Sequence, residues 1–148
     1  ALADSGLDAD RLELEITETA LVRDEDRARV FIAEMSERGV EVALDDFGVG
    51  YSSLSYLRRF AFARLKMDRS FVNDLDDPVS HALARAILDI AAALHLRVTA
   101  EGVETASQAM TLTAEGCENL QGFLFARPMP LDALRDWLAA DRQDVAAA

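Results

Sequence analysis

The chain has 148 residues, 51% of them hydrophobic, which is enough for one domain with a real apolar core. No apolar run approaches the length of a bilayer-spanning helix, so the expectation is a globular domain whose own residues make no membrane contact. A formal net charge of −12 argues against a DNA or RNA polymer as partner, and an anionic ligand would need cations to screen so acidic a surface.

Ala1–Gly6 reads as the end of a helix. A start at Ala1, with neither Met nor a signal-peptide pattern, reads as a piece of a longer chain. Leu12–Thr17 (L-E-L-E-I-T) alternates strictly, which puts Leu12, Leu14 and Ile16 on one face of a strand and Glu13, Glu15 and Thr17 on the other. Asp24–Arg38 follows as a helix with Val30, Phe31 and Met35 as its apolar stripe and Gly39 as its stop. Val42–Leu54 (V-A-L-D-D-F-G-V-G-Y-S-S-L) begins as a β-prone apolar run and meets the adjacent carboxylates Asp45 and Asp46. It then turns through Gly48 and Gly50 toward a short helix opened by Tyr51-Ser52-Ser53. Leu65–Met67 is a short strand carrying Lys66, with Asp68 after it. Ser80–Leu94 is a helix with Leu83, Ile87, Ile90 and Leu94 at helical spacing. Val98–Ala100 is a strand that runs into Glu101-Gly102-Val103-Glu104, and a helix over Ala106–Glu115 ends at Gly116. Asn119–Phe125 reads as a strand interrupted by Gly122. Pro130 opens the last helix, Leu131–Asp141, ahead of an Ala-rich tail.

Strands that alternate with helices build βαβ units and a parallel sheet. Five strands, five helices and no Gly-rich dinucleotide fingerprint favour an α/β TIM-like (β/α) barrel over a doubly wound sheet. A complete barrel takes about 250 residues, so this chain holds only about five of the βα units. Each strand delivers polar residues near its carboxyl end: Glu15 and Glu18, Asp45 and Asp46, Lys66 and Asp68, Glu101 and Glu104, and Gln121. In a parallel barrel these ends share the face that carries the active site. Adjacent strand residues point to opposite faces, so Asp45 and Asp46 can share a site only where the pleat breaks down. Their plainer reading is a helix cap or a solvated pair.

Carboxylates and an amide, without His or Cys, select a hard cation such as Mg2+ or Mn2+ over zinc. His81 and His95 lie in or at the end of a helix and read as surface or packing residues. Cys117, the single cysteine, excludes an internal disulfide, fits a reducing cytoplasm and reads as a small buried hydrophobe. Trp137, Phe60 and Phe62 read as core or cover. Lys66, kept charged by carboxylates, could stabilise an oxyanion or orient a water, or act as a base if desolvated. Its plainer reading is a salt bridge to Asp45, Asp46 or Glu101. The set fits phosphodiester hydrolysis through two metals about 3.5–4 Å apart, and equally proton abstraction beside a carboxylate in the enolase manner. Spacing does not choose between them.

Five segments carry a resemblance: L-E-L-E-I-T-E-T (Leu12–Thr19), A-L-D-D-F-G-V-G-Y-S-S-L (Ala43–Leu54), L-K-M-D-R-S-F-V (Leu65–Val72), A-E-G-V-E-T (Ala100–Thr105) and Q-G-F-L-F-A-R-P-M-P (Gln121–Pro130). In order and spacing the chain resembles the EAL-domain phosphodiesterases, which hydrolyse the bacterial second messenger cyclic di-GMP. An enolase-like barrel would not account for the second segment. The resemblance implies a barrel and a hydrolase dependent on Mg2+ or Mn2+, with a two-metal site, that linearises cyclic di-GMP to pGpG. By position, Glu15, Asp45 and Asp46 look like metal ligands, with the Asp pair shared between two ions. Glu101 looks like the residue that activates or positions the attacking water, Lys66 like the partner of that water or of a phosphate oxygen, and Gln121 like an amide near water and substrate. The stretch Phe47–Leu54, with Phe47, Gly48 and Gly50, looks like the family's regulatory loop near a dimer interface, anchored by Glu18. Glu104 and Asp68 would support the site from behind.

The departure is upstream. The signature Glu-Ala-Leu, whose Glu is a metal ligand, is absent, as are the Arg after it and an Asn ligand on the following strand. Residues 1–148 therefore resemble the C-terminal portion of one EAL domain. The resemblance implies that this portion is inactive alone, that its open barrel edge favours a homodimer, and that a sensory or diguanylate-cyclase-type domain precedes it in the parent chain. The expected place is the cytoplasm, even where the parent is membrane-anchored. The alternatives are a cyclic di-GMP receptor without turnover and an interaction or dimerisation fragment. The catalytic positions present favour the enzyme.

Overall fold

Among the described residues, five short strands pair in parallel and in chain order, each beside the one before it: β1 (Glu13–Thr17), β2 (Glu41–Phe47), β3 (Arg64–Met67), β4 (Arg97–Ala100) and β5 (Asn119–Leu120). The structure, a computed structural model, describes residues 2–48 and 54–146. Helix α1 (Leu2–Ser5) and a 3-10 turn at Ala9–Arg11 lead into β1. Helices α2 (Glu18–Arg23) and α3 (Glu25–Glu37) join β1 to β2, and α4 (Leu54–Arg59) precedes β3. Helices α5 (Arg69–Asn73) and α6 (Pro78–Ala93) join β3 to β4, α7 (Ala106–Ala114) joins β4 to β5, and α8 (Leu131–Ala146) ends the series. This is the expected α/β architecture of part of a barrel, in which consecutive strands are neighbours. Among the described residues no helix is long and apolar enough to cross a membrane.

The period of two along each strand divides the sheet into two chemistries. Val42, Leu44, Leu65, Met67, Val98 and Ala100 are buried on the face that α3 and α6 cover, and they join Leu21, Ile32, Ile87 and Leu112 in one core. The alternate residues, Glu13, Glu15, Glu41, Arg64, Lys66, Arg97 and Thr99, form the other face. Barrel interiors are usually filled by branched apolar side chains, but here charges pair across strands instead. Arg64 donates from Nε to Glu13 Oε2 at 2.6 Å and from Nη1 to Thr99 Oγ1 at 3.0 Å, and Arg97 pairs with Glu41.

Several sequence expectations shift. Helix α3, capped by Asp24 accepting from the Arg27 N–H at 3.1 Å, docks through Ala28, Ile32 and Met35. Ile32 is 1% exposed, whereas Val30 is 54% exposed and Phe31 is exposed too. Three consecutive apolar residues span most of a helical turn, so only one of them can face the sheet. Helix α6 starts earlier, at Pro78, because Asp77 accepts from the N–H groups of Val79 and Ser80 at 3.0 and 2.9 Å. It buries Ala84, Ile87, Leu88 and Ala91 and leaves Leu83 exposed, since the small alanines allow the close approach. Strand β5 stops at Leu120. The chain then turns, with the Phe125 N–H donating to the Gly122 carbonyl at 3.1 Å. Trp137 is exposed on α8, which runs on past Asp141 to Ala146, while Phe60 and Phe62 are core. Helices α2 and α5 had no expectation in the sequence, and the helix opening at Tyr51-Ser52-Ser53 lies outside the described residues.

The docking face of α3 is directly testable by urea denaturation. Ile32→Ala should destabilise by about 2–5 kcal/mol through the cavity it leaves, while Val30→Ala should stay within about 0.5 kcal/mol.

Candidate active site

Lys66 lies at the centre of the strand ends and is only 6% exposed. Its ammonium forms ion pairs with Glu15 Oε1 at 2.7 Å, Glu101 Oε1 at 2.7 Å and Asp45 Oδ1 at 3.2 Å. Four adjacent strands, β1 to β4, thus supply one cation and three carboxylates. Burial by itself would push the Lys66 pKa down. The close carboxylates of Glu101, Glu15 and Asp45 outweigh it and hold the pKa above that of an ordinary lysine. Lys66 is therefore a fixed ammonium rather than a base. The salt-bridge reading of this residue holds, with Glu15 in the place of Asp46.

Asp46 departs from the cluster for a backbone reason. Between β2 and β3, Leu44 faces Leu65 and Phe47 faces Met67, so β2 carries one extra residue between the paired positions. Asp46 has φ 55°, a left-handed conformation that Asp tolerates better than most side chains. This bulge is the pleat breakdown that adjacent carboxylates require. Asp45 stays with Lys66, and Asp46 lines a neighbouring cavity of about 480 Å3 together with Asp68, Arg69, Glu101, Glu104 and Gln121.

The remaining expected residues surround these. Gln121 is tied to the end of β4, its N–H donating to the Ala100 carbonyl at 2.8 Å and its carbonyl accepting from the Val103 N–H at 3.0 Å. The approach depends on Gly122, where a Cβ would collide with the Val103 backbone. Asp68 caps α5, accepting from the Ser70 N–H at 2.9 Å. Partial burial would raise its pKa, but the hydrogen bonds from Ser70 and from the Arg69 N–H hold its carboxyl below the ordinary value. Phe47 is buried at the end of β2, and Gly48, at φ 99°, lies so close under the Phe71 ring that a Cβ would not fit. Glu18 is buried in the first turn of α2. Gly50 lies outside the described residues.

His81 pairs with Glu115 at 3.1 Å, away from the strand ends, and Cys117 is buried with its thiol pKa pushed up by burial. Both match the plain reading. The sequence reading missed Arg69, Asn73 and Phe123, which also line the cavity. The first follows Asp68 directly and was within reach of a helix-capping argument.

The donor set at these strand ends consists of hard carboxylate and amide oxygens, which in kind fits a cation of the magnesium, manganese or calcium class. Among the described residues, no three His, Cys, Asp or Glu side chains form a ready metal cage. Lys66 now pairs by charge with Glu15, Asp45 and Glu101.

The family model for the EAL domain matches residues 1–128. This chain belongs to the EAL domain family. It is 48% identical over 149 residues to the cyclic di-GMP phosphodiesterase NbdA of Pseudomonas aeruginosa, an alignment covering 99% of this chain and 19% of that protein. MucR of the same organism, a bifunctional diguanylate cyclase and cyclic di-GMP phosphodiesterase, is 45% identical over 90% of this chain and 20% of its own length. The structure of the MucR phosphodiesterase in complex with c-di-GMP superposes with a TM-score of 0.84, over 90% of this chain and 54% of that one. Klebsiella pneumoniae BlrP1 in its manganese and cyclic di-GMP complex superposes at 0.80, with 36% identity, over 86% and 33% of the two chains. The EAL chain thus spans about a fifth of the curated relatives' length, and its sheet is five strands of their TIM-like barrel.

The titration of Lys66 gives a pH test. The folded state holds the ammonium proton more tightly than the unfolded chain, where lysine titrates near 10.5. The stabilisation is therefore complete below that pH and lost as pH rises through the higher folded value. The melting temperature should fall at strongly alkaline pH, and Lys66→Met should remove the part of that fall due to this residue.

Proposed function

We propose that this chain is the C-terminal portion of an EAL domain whose complete form hydrolyses cyclic di-GMP to pGpG with Mg2+ or Mn2+. The observation that carries the reading is the row Glu15, Asp45, Lys66 and Glu101 across four strand ends, beside a cavity that holds Asp46 and Gln121. The names of NbdA and MucR support the substrate, and the manganese complex of BlrP1 supports the class of metal.

In this reading Glu15, Asp45 and Asp46 hold the divalent ions, together with ligands from the upstream part of the domain. The ions supply Lewis-acid activation of water and phosphate. Glu101 accepts the proton of the attacking water. Lys66, fixed as an ammonium, donates to that water or to a phosphate oxygen and offsets the charge that builds there. Gln121 orients the water and the substrate. The water oxygen stays on phosphorus, the bond to one ribose 3′ oxygen breaks, and the proton ends on that oxygen. The stretch that begins at Phe47 and Gly48 and includes Gly50 would couple the site to a homodimer interface, with Glu18 as its anchor. Asp68 and Glu104 support the cavity. A regulatory or cyclase domain upstream, as the name of MucR suggests, completes the parent protein.

A receptor without turnover is the competing reading. It is favoured by Lys66 already satisfying three of the carboxylates. Incubating the full-length natural protein with cyclic di-GMP and Mn2+, Mg2+ or EDTA, then separating the products, decides between them. The enzyme reading expects pGpG with metal and none with EDTA. Glu101→Gln should cost at least about 10²-fold in rate while binding persists. Binding without turnover in the unsubstituted protein would establish the receptor instead.

A further inference from the structure

Two irregular segments supply most of the wall of the 480 Å3 cavity. One is α5 with its cap, through Asp68, Arg69 and Asn73. The other is the loop after β4, through Glu101 and Glu104. The loop is tied to the sheet where it begins, the Glu101 N–H donating to the Met67 carbonyl at 3.0 Å, but its far end at Glu104 and the last turn of α5 lie beyond that ladder. Gln108, in the first turn of α7, spans them. Its side-chain oxygen accepts from the N–H groups of Glu104 at 2.8 Å and Thr105 at 3.0 Å. Its side-chain nitrogen donates to the carbonyl of Val72, in the last turn of α5, at 3.1 Å. Thr105 Oγ1 accepts from the Gln108 N–H at 3.2 Å and completes a capping box.

A capping box uses only the acceptor oxygen, and Glu serves it as well as Gln. The donor end of Gln108 is surplus to the cap. It reaches 36 residues back in the sequence and satisfies a helix-end carbonyl that α5 itself leaves without a partner. Gln108 is half-buried, and the cavity lining among the described residues does not include it.

We infer that Gln108 is a positioning residue of the active site, which ties the last turn of α5 to the end of the β4–α7 loop and so holds Arg69 and Asn73 against Glu104. The activity arm of this inference rests on the phosphodiesterase reading. Because Lys66 fixes Glu101 independently, the chemistry persists when the bridge is lost, and substrate binding carries the effect.

Gln108→Glu in the full-length natural protein separates the two roles. A carboxylate keeps both acceptor bonds of the cap but cannot donate to the Val72 carbonyl. The expected result is a melting temperature lowered less than by Gln108→Ala, faster amide hydrogen exchange in α5 with the first turn of α7 still protected, and unchanged kcat. KM for cyclic di-GMP should rise about tenfold, the size of one lost hydrogen bond. The rise should persist in high salt, which would screen a simple repulsion between the new carboxylate and the substrate. Gln108→Ala should lose the cap as well and melt lower. Unchanged exchange in α5, an unchanged KM, or a KM rise that high salt abolishes would each overturn the inference. If the unsubstituted protein does not hydrolyse cyclic di-GMP, the function reading fails, and the exchange measurement still decides whether the bridge exists.

Discussion

A lysine ammonium taken out of water must be met by charge, and most of this sheet is arranged to meet it. Lys66 draws one carboxylate from each of three other strands, which ties β1, β2, β3 and β4 at their carboxyl ends. A slip of one residue in β3 would turn Lys66 into the apolar layer beneath α6 and bring Leu65 or Met67 among the carboxylates. The Glu13–Arg64–Thr99 and Glu41–Arg97 contacts impose the same register further down. Buried ion pairs are weak sources of net stability, since desolvation offsets much of the attraction. The apolar face under the helices supplies the stability, and the charged face specifies the register and carries the chemistry.

The bulge at Asp46 is the second constraint. Left-handed backbone at a residue with a side chain costs on the order of 1–2 kcal/mol, and here it turns one of two neighbouring carboxylates away from Lys66 toward the cavity. The site therefore has one half built on the strands and one built on the segments between them. Glu15, Asp45, Lys66 and Glu101 are fixed by the strands, while Asp68, Arg69 and Glu104 belong to a short helix and a loop held by side-chain bridges and by the close backbone approaches at Gly102 and Gly122.

Much of this was legible in the sequence because strand periodicity is a short-range signal. The alternation in L-E-L-E-I-T separates the two faces of β1, and adjacent Asp45 and Asp46 at one site demand a broken pleat. The helices were less legible. Apolar pattern and helical spacing favour Val30, Phe31 and Leu83 as buried, whereas docking geometry chooses Ile32, Ala84 and Ala91. Residues 121–125 have the composition of a strand, but the turn at Gly122 and the Val103 backbone contact end β5 early. Gln108 carried no readable signal, because its bridge joins segments 36 residues apart.

The proposed function assigns divalent cations to Asp45 and Asp46 at the bulge, while Asp68 caps α5. Titration of Mn2+ into the full-length natural protein, followed by electron paramagnetic resonance, tests this most directly. The account predicts saturable binding that is lost or sharply weakened in Asp45→Asn and in Asp46→Asn and preserved in Asp68→Asn. Equal Mn2+ affinity in all three variants and the unsubstituted protein would contradict it.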